Sequence, residues 1–516
     1  MLRNRYKIWV LAAVLGFSAT SCQKTLDTLP DNRTELDSPE KIKKILVSAY
    51  PEASNYYINE VTSDNTDDNG GNTFSYDVFH TQIFKWQDAT EAANDNTLEV
   101  WSKHYGAIAA ANTALEAIDK LGNPSNLAPL RGEALITRAY NHFVLVNMFS
   151  HAYNETTSTT DLGIPYSDKV ETELIVEHSR GTVAETYARI AQDIEEGLPL
   201  ISDNTYDQPK YHFNIKAANA FATRFYLYYR QYDKAIKTST KALGNTPSAD
   251  LRDWTALGKL SANGFIRPNA YINANVPANY LLMSTVSTWP YVHGPYSGGT
   301  KYTMNQFIYD YETSAAKSPW NDYALLNFRE SNYYGSLKKI ISRKIGGYFE
   351  FTDPINQIGY VRMVMAAFTS DETLLNRAEA YVLQGNLDKA AADLITFYTN
   401  FCIRKGITKQ SIIDLYKGME YYKPDAPTPK KKFNVDFQFT EDQEAMLHAI
   451  LHTRRVLTMH EGLRWLDVKR YGIEIFRREV YNDNVKVMDT MSPTDPRRAI
   501  QLPKEIIGAG LQANPR

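Results

Sequence analysis

Two stretches far apart in the chain carry the same spacing of small and aromatic residues. Residues 223–242 read TRFYLYYRQYDKAIKTSTKA, and residues 378–397 read AEAYVLQGNLDKAAADLITF. Superposed, Tyr226 falls on Tyr381 and Asp233-Lys234-Ala235 on Asp388-Lys389-Ala390. Ala378, Tyr381, Ala390 and Leu394 place a small residue, an aromatic, a second small residue and a packing residue at the offsets that bring two helices together. Thr223, Tyr226, Ala235 and Ser239 follow the same offsets more loosely. Small residues let the paired helices approach closely, so the chain is constrained to build on helix pairs. The two units are not contiguous, which excludes a simple array.

This spacing is the tetratricopeptide one. Residues 97–120 form a further helix, with Trp101, Tyr105, Ile108, Asn112, Leu115 and Ile118 at helical intervals and Gly122 and Pro124 ending it. Residues 131–149 (RGEALITRAYNHFVLVNMF) give its antiparallel partner, and Arg138-Ala139 there matches Arg377-Ala378. Residues 41–50 and 440–460 also read as helix. Between the repeats the texture changes. Residues 245–370 are rich in Gly, Pro, Asn and aromatics (TWPYVHGPYSGGTKY at 288–302), which reads as irregular structure of functional or packing loops. The expected fold is all-α: a tetratricopeptide-like scaffold over 41–244 and 371–404, an irregular loop-rich subdomain over 245–370, and a C-terminal loop and helical segment over 405–516.

The N-terminus bears on the compartment. Arg3, Arg5 and Lys7 precede an apolar run from Ile8 to Phe17, too short to span a bilayer as a helix. Ala19-Thr20-Ser21 then lead into Cys22. This reads as a lipoprotein signal over 1–21, with Cys22 lipidated and residues 22–40 a polar tether; the alternative is a plain secretory signal with an incidental Cys. The only other cysteine, Cys402, lies between Phe401 and Ile403 and reads as a small buried hydrophobe.

A net charge of −3 offers no broad basic field, so binding to nucleic acid through its backbone charge is not expected. No dinucleotide-binding glycine motif, P-loop, H-E-x-x-H, C-x-x-C or G-x-S-x-G occurs, and no enzyme is expected. Glu444, His448 and His452 share one helix face, but a polar stripe is the preferred reading over a metal site. Asp64-Asn65-Thr66-Asp67-Asp68-Asn69-Gly70 resembles part of a calcium loop without its ligand register; a solvated loop is preferred, and calcium stays open. Lys430-Lys431-Lys432 likewise reads as a solvated loop.

Several segments together resemble the SusD/RagB-like outer-membrane lipoproteins of Bacteroidetes. They are Cys22 in its lipobox-like setting; Trp101, Tyr105, Ile108 and Ala111-Asn112; Gly132-Glu133-Ala134 with Arg138-Ala139 and Phe143; Gly163-Ile164-Pro165-Tyr166; the helix-pair units; Glu461-Gly462-Leu463-Arg464-Trp465 with Asp467 and Arg470; and the closing Ala499-Ile500-Gln501-Leu502-Pro503. The resemblance runs in order over essentially the whole chain. It implies a helical fold, a place on the cell surface over a TonB-dependent transporter of the SusC type, and capture of oligosaccharide without catalysis. Peptide capture, as in the RagB branch, and a structural adaptor that binds only protein are the alternatives. Arg454-Arg455 fits the family's pattern, whereas Thr453 and Leu457 stand where Glu is common. Glu461, Arg464, Asp467 and Arg470 read as a buried charge network.

Sugar rings present apolar faces rimmed by hydroxyls, so a site needs flat aromatics that are not consumed in helix packing. Aromatics make up 12% of the chain, with 35 Tyr. Two loop regions supply them: Phe74, Tyr76, Phe79 and Trp86, and Trp289, Tyr291, Tyr296 and Tyr302, with Trp320 beyond. The expected ligand contacts are Tyr76, Trp86, Trp289, Tyr296 and Trp320, with Asn72 as a polar partner.

Overall fold

The computed structural model describes residues 36–516 apart from 72, 92–93, 173–177, 295–299, 334–338 and 482–483. The signal segment, Cys22, Asn72 and Tyr296 therefore lie outside the described residues.

Among the described residues three short helices come first: α1 (Pro39–Val47), α2 (Tyr56–Thr62) and α3 (Val78–Phe84). Then α4 (Thr97–Lys120) and α5 (Ala128–Phe149) pack as a pair, and α5 packs in turn on α6 (Val183–Gly197). Asn96 starts α4 by accepting from the Glu99 amide at 2.7 Å, which satisfies one of the free amides of the first turn. α7 (Ile215–Tyr228) and α8 (Tyr232–Leu243) form the next pair. Short helices α9 (Trp254–Lys259), α10 (Ile266–Tyr271), α11 (Trp289–His293) and α12 (Gln306–Glu312) punctuate the middle of the chain. The last pair of the repeat type is α13 (Ser370–Leu383) with α14 (Leu387–Phe401), and α13 also packs on α8. α15 (Lys409–Lys417), α16 (Glu441–Leu457), α17 (Leu463–Arg470) and α18 (Lys504–Gly508) complete the helices.

The match of Arg138 with Arg377 has a physical basis. Arg138 on α5 donates two hydrogen bonds to Asp193 on α6, at 2.7 and 2.6 Å. Arg377 on α13 does the same to Asp393 on α14, at 2.8 and 2.7 Å. Each is a two-pronged clamp tying the first helix of a pair to the second. In the α7–α8 pair the Thr223 and Thr238 hydroxyls meet at 2.9 Å, with Thr238 at the place that Asp393 takes in the later pair.

The fold is not all-α. A four-stranded sheet runs β3-β1-β8-β9, from β1 (Asp67–Asp68), β3 (Tyr302–Thr303), β8 (Ile475–Tyr481) and β9 (Asn484–Met491). A three-stranded antiparallel sheet runs β2-β7-β6, from β2 (Asn279–Val286), β6 (Gly347–Asp353) and β7 (Ile358–Thr369). β4 (Ser331–Tyr333) pairs with β5 (Lys339–Ile341). The stretch read as irregular over 245–370 thus contains a sheet. Its strand β7 leads directly into α13, and Phe368 at that junction packs among Tyr140, Phe213 and Phe221 of the helical core.

Candidate ligand-binding face

The expected aromatic face is built from the inside out. Its base is a buried charge cluster. Asp64 accepts from Arg464 at 2.7 Å and pairs with Lys431 at 2.7 Å. Glu312 pairs with Lys431 (2.9 Å), Arg455 (3.1 Å) and Arg478 (2.7 Å), and Arg478 also holds Asp67 at 2.8 Å. All of these side chains are buried. Burial alone would raise the Glu312 carboxyl; Arg478, Lys431 and Arg455 outweigh it and bring it down to about 2. This corrects two sequence readings. The Asp/Asn loop is not solvated at its start, because Asp64, Asn65, Thr66 and Asp67 are buried, and Lys430 and Lys431 are buried too. Guanidinium and ammonium groups pair with the Asp64 and Asp67 carboxylates. Among the described residues no group of three or more His, Cys, Asp or Glu is arranged to hold a metal ion. His452 hydrogen-bonds Tyr416 (2.8 Å) and the Thr313 carbonyl (2.9 Å), and His448 lies against the Phe433 ring.

Arg477 fixes the chain above this cluster. Its guanidinium donates to the carbonyls of Val61 (2.8 Å), Thr62 (2.7 Å) and Ser63 (2.7 Å), which are the unsatisfied acceptors at the C-terminus of α2. The same group lies 4.5 Å from the Phe84 ring centre and 4.3 Å from that of Trp86. Burial lowers it to about 9, which leaves it charged at neutral pH.

A layer of aromatic rings covers this base. Trp289 stacks on Tyr57 at 5.4 Å and donates its indole N–H to the His460 carbonyl at 2.9 Å. Phe84 stacks on Tyr302 at 4.1 Å, and Phe79 meets Tyr57 edge to face. The Trp86 indole donates to the Thr62 carbonyl at 3.0 Å. Trp86 and Trp289 are thus core residues, and the expectation that they stand free in loops is corrected. Each belongs to the right region at the wrong depth, since its ring faces and N–H are already taken. Trp320 is corrected more fully. It is entirely buried against Tyr398, Phe401 and His452, 4.9 Å from the His452 ring, with its N–H on the Ser314 carbonyl at 2.8 Å.

What reaches solvent above the layer is Phe74, Tyr76 and Tyr291. Tyr76 is half-buried and Tyr291 is 40% exposed. The Tyr76 amide donates to His80 Nδ1 at 3.2 Å, and Asp77 caps α3 by accepting from the His80 amide at 2.6 Å. Partial burial raises the Tyr76 hydroxyl pKa, and Asp77, Asp95 and Tyr291 add to the rise, which sets the two tyrosines within electrostatic reach of each other. Asp95 locks the second loop: its carboxylate accepts from the Thr288 amide (2.7 Å) and hydroxyl (2.8 Å), just before α11. Burial pushes that carboxyl up to about 6. Tyr291 belongs to the aromatic loop read from the sequence but is not among the expected contacts; the α11 turn raises it to the surface while burying Trp289.

A second concavity, of about 860 Å³, opens elsewhere along α4, where Trp101, Tyr105, Ala109 and Thr113 face Pro165–Glu171 and Ile506–Leu511. None of the expected contacts lines it.

Residues 24–227 match the model of a SusD-like family described as starch-binding and associating with the outer membrane. Over that stretch the chain is similar to the SusD-like family. The whole fold agrees: a crystal structure of a SusD superfamily protein from Bacteroides thetaiotaomicron superposes with a TM-score of 0.64 at 16% identity, covering 92% of this chain and 98% of that one. A SusD superfamily protein from Bacteroides vulgatus gives 0.62 at 17% identity (92% and 97%). A SusD-like carbohydrate binding protein from the same species gives 0.59 at 16% identity (91% and 96%). No curated protein matches the sequence. Within the SusD fold, Glu461, Arg464, Asp467 and Arg470 form the buried network expected of them, with Asp467 between Arg454 (2.9 Å) and Arg470 (2.6 Å) and Arg464 on Asp64.

Proposed function

We propose that this chain binds carbohydrate at the Tyr76–Tyr291 face and passes it, without catalysis, to a TonB-dependent transporter of the SusC type. The observation that carries this reading is the exposed Tyr291 beside the half-buried Tyr76, both held over a rigid aromatic layer. Flat amphipathic rings held in place can stack on a sugar without a large ordering cost. The starch-binding description of the matching family model supports the same class of ligand. The reading places the protein at the outer membrane, facing outward and anchored by lipid on Cys22. Among the described residues no helix is long and apolar enough to cross a membrane, which is consistent with such an anchor.

The test is calorimetric titration of the protein lacking residues 1–22 with a panel of polysaccharides and peptides. Binding to a glycan, weakened by Tyr291→Ala and Tyr76→Ala, is expected. Binding to peptides alone would replace the glycan reading with a peptide one. For the anchor, Cys22→Ser is expected to move the protein from the membrane fraction to the soluble fraction; unchanged membrane association would remove Cys22 from that role.

A further inference from the structure

The β6–β7 hairpin extends past the sheet that carries it. β2 pairs with β7 only from Arg362 to Thr369, whereas β6 pairs with β7 on to Ile358. The outer half is therefore a two-stranded ribbon, open on both faces. Residues alternate between those faces, so Gly347, Phe349 and Phe351 share one face with Gly359 and Val361 of the facing strand.

That face is aromatic and uncharged. Phe349 is 44% and Phe351 53% exposed, with ring centres 4.8 Å apart. The two glycines explain how the rings lie. A Cβ on Gly359 would come 2.9 Å from the Phe349 ring, so that ring rests across Gly359. A Cβ on Gly347 would come 3.2 Å from Cε1 of Tyr291 and 3.1 Å from Val361. Pro290, Val361 and Tyr291 together fill the place of the side chain that Gly347 lacks, which sets Tyr291 at the head of the row that Phe349 and Phe351 continue. The opposite face is different in kind. There Glu350 binds Arg362, Arg362 reaches Glu52 at 3.6 Å, and the Tyr348 hydroxyl donates to Asn269 at 2.6 Å.

We infer that the Tyr291–Phe349–Phe351 row is a binding platform for an extended neutral polysaccharide, adding sites along the ribbon to the Tyr76–Tyr291 face. The inference rests on the carbohydrate reading above and goes beyond it by fixing the class of ligand: a chain without charge, several units long. From Gly347 to Phe351 the strand advances about 14 Å, longer than one pyranose ring. Three observations select this occupant. The row is continuous with the tyrosine face, it carries no charge to attract an ionic partner, and glycines beneath the rings leave flat surfaces outward rather than knobs.

The experiment compares wild type, F349A/F351A, F349L/F351L and Y291A. Each is titrated with soluble starch, mannan, xylan and mixed-linkage β-glucan, and with the oligosaccharides of each from two to seven units. Circular dichroism checks the fold. Wild type is expected to bind at least one neutral glycan more tightly as its chain lengthens. F349A/F351A should lose about tenfold for long chains and nothing for two-unit ligands. F349L/F351L should lose nearly as much, because it keeps apolar area but removes the flat rings. Y291A should weaken every length. A double variant that keeps the wild-type gain with length overturns the platform and leaves the tyrosine face standing. So does a leucine variant that binds like wild type, or a double variant that loses only a co-purifying outer-membrane protein. Wild type that binds no neutral glycan at any length overturns the platform inference; if it also binds no charged glycan, the carbohydrate reading falls with it.

Discussion

Trp289 and Tyr291 are two residues apart on one short helix, and the turn between them separates structure from binding. Trp289 is 4% exposed, stacked on Tyr57 and hydrogen-bonded through its indole. Trp289→Ala is expected to cost about 3–5 kcal/mol of stability, as for other buried aromatics, read from the shift in a urea midpoint. Tyr291→Ala should stay within about 0.5 kcal/mol of wild type, as exposed positions do, and act on ligand affinity instead. If both variants unfold alike, the tyrosine is structural and the face loses its centre. Asp64 belongs to the same scale. It is buried beside Arg464, Lys431 and Arg455, whose combined effect overcomes burial and holds its carboxyl well below the usual range. Arg464→Met removes its closest guanidinium and should cost about 3–5 kcal/mol, the penalty for breaking a buried pair from one side. A loss under about 1 kcal/mol would mean that Lys431 and Arg455 suffice for Asp64.

The helix pairs are stitched by the Arg138–Asp193 and Arg377–Asp393 clamps, whose side chains are about one-tenth exposed or less. A double-mutant cycle on Arg377 and Asp393 should give a coupling energy of about 0.5–3 kcal/mol, and the same cycle on Arg377 and Asp193 should give none. Equal values would mean that the cycle reports a general loss of charge rather than a clamp. These elements were legible in the sequence because their signal is local: apolar and small residues repeat within a few turns, so Thr97–Lys120 and the Arg138/Arg377 match could be read directly. The sheet was not. β7 begins in exposed alternation at Ile358–Tyr360 and ends in the apolar run Met365–Phe368, so neither a strand period nor a helix period dominates its length. The candidate face was half legible. Loop aromatics marked its region, but depth depends on partners hundreds of residues away. Trp86 is buried by Arg477, and Lys431 is drawn inside by Asp64 and Glu312. No local pattern announces such a pairing. The Phe349–Phe351 row lay in plain sight as alternating aromatics, yet its meaning depends on Gly359 across the ribbon and Tyr291 over Gly347.

At the scale of the molecule, helix pairs, sheets and loops are joined through a polar interior, and that interior sets how stability responds to acid. Burial pushes the imidazoles of His80, His142, His452 and His460 down to about 3, and that of His104 to about 4. In the unfolded chain these groups titrate near 6.5. Between that value and about 3–4 the unfolded state binds more protons, so stability must fall as the pH falls through this window. Glu60 and Asp95 act in the opposite sense. Burial raises them to about 7 and about 6, so the native state holds their protons where the unfolded state has released them. Stability from these two groups therefore improves on acidification from about pH 7 toward their unfolded values. Burial also lowers His151, His293 and His448 and raises Asp67, Asp77, Glu330, Asp371 and Asp393. Between about pH 6 and 5 the imidazoles are the groups that titrate in the unfolded chain, so the net slope follows them, on the order of a few kcal/mol per pH unit. Urea midpoints at pH 7, 6 and 5 would measure it, with the steeper drop expected over the lower step. His104→Gln keeps a hydrogen-bonding group beside Asn141 without the titration, and should flatten the slope by about one proton's worth. A midpoint constant from pH 7 to 5 would mean that the imidazoles are protonated inside the fold, and the neutral hydrogen bonds assigned to His80 and His452 would have to be redrawn.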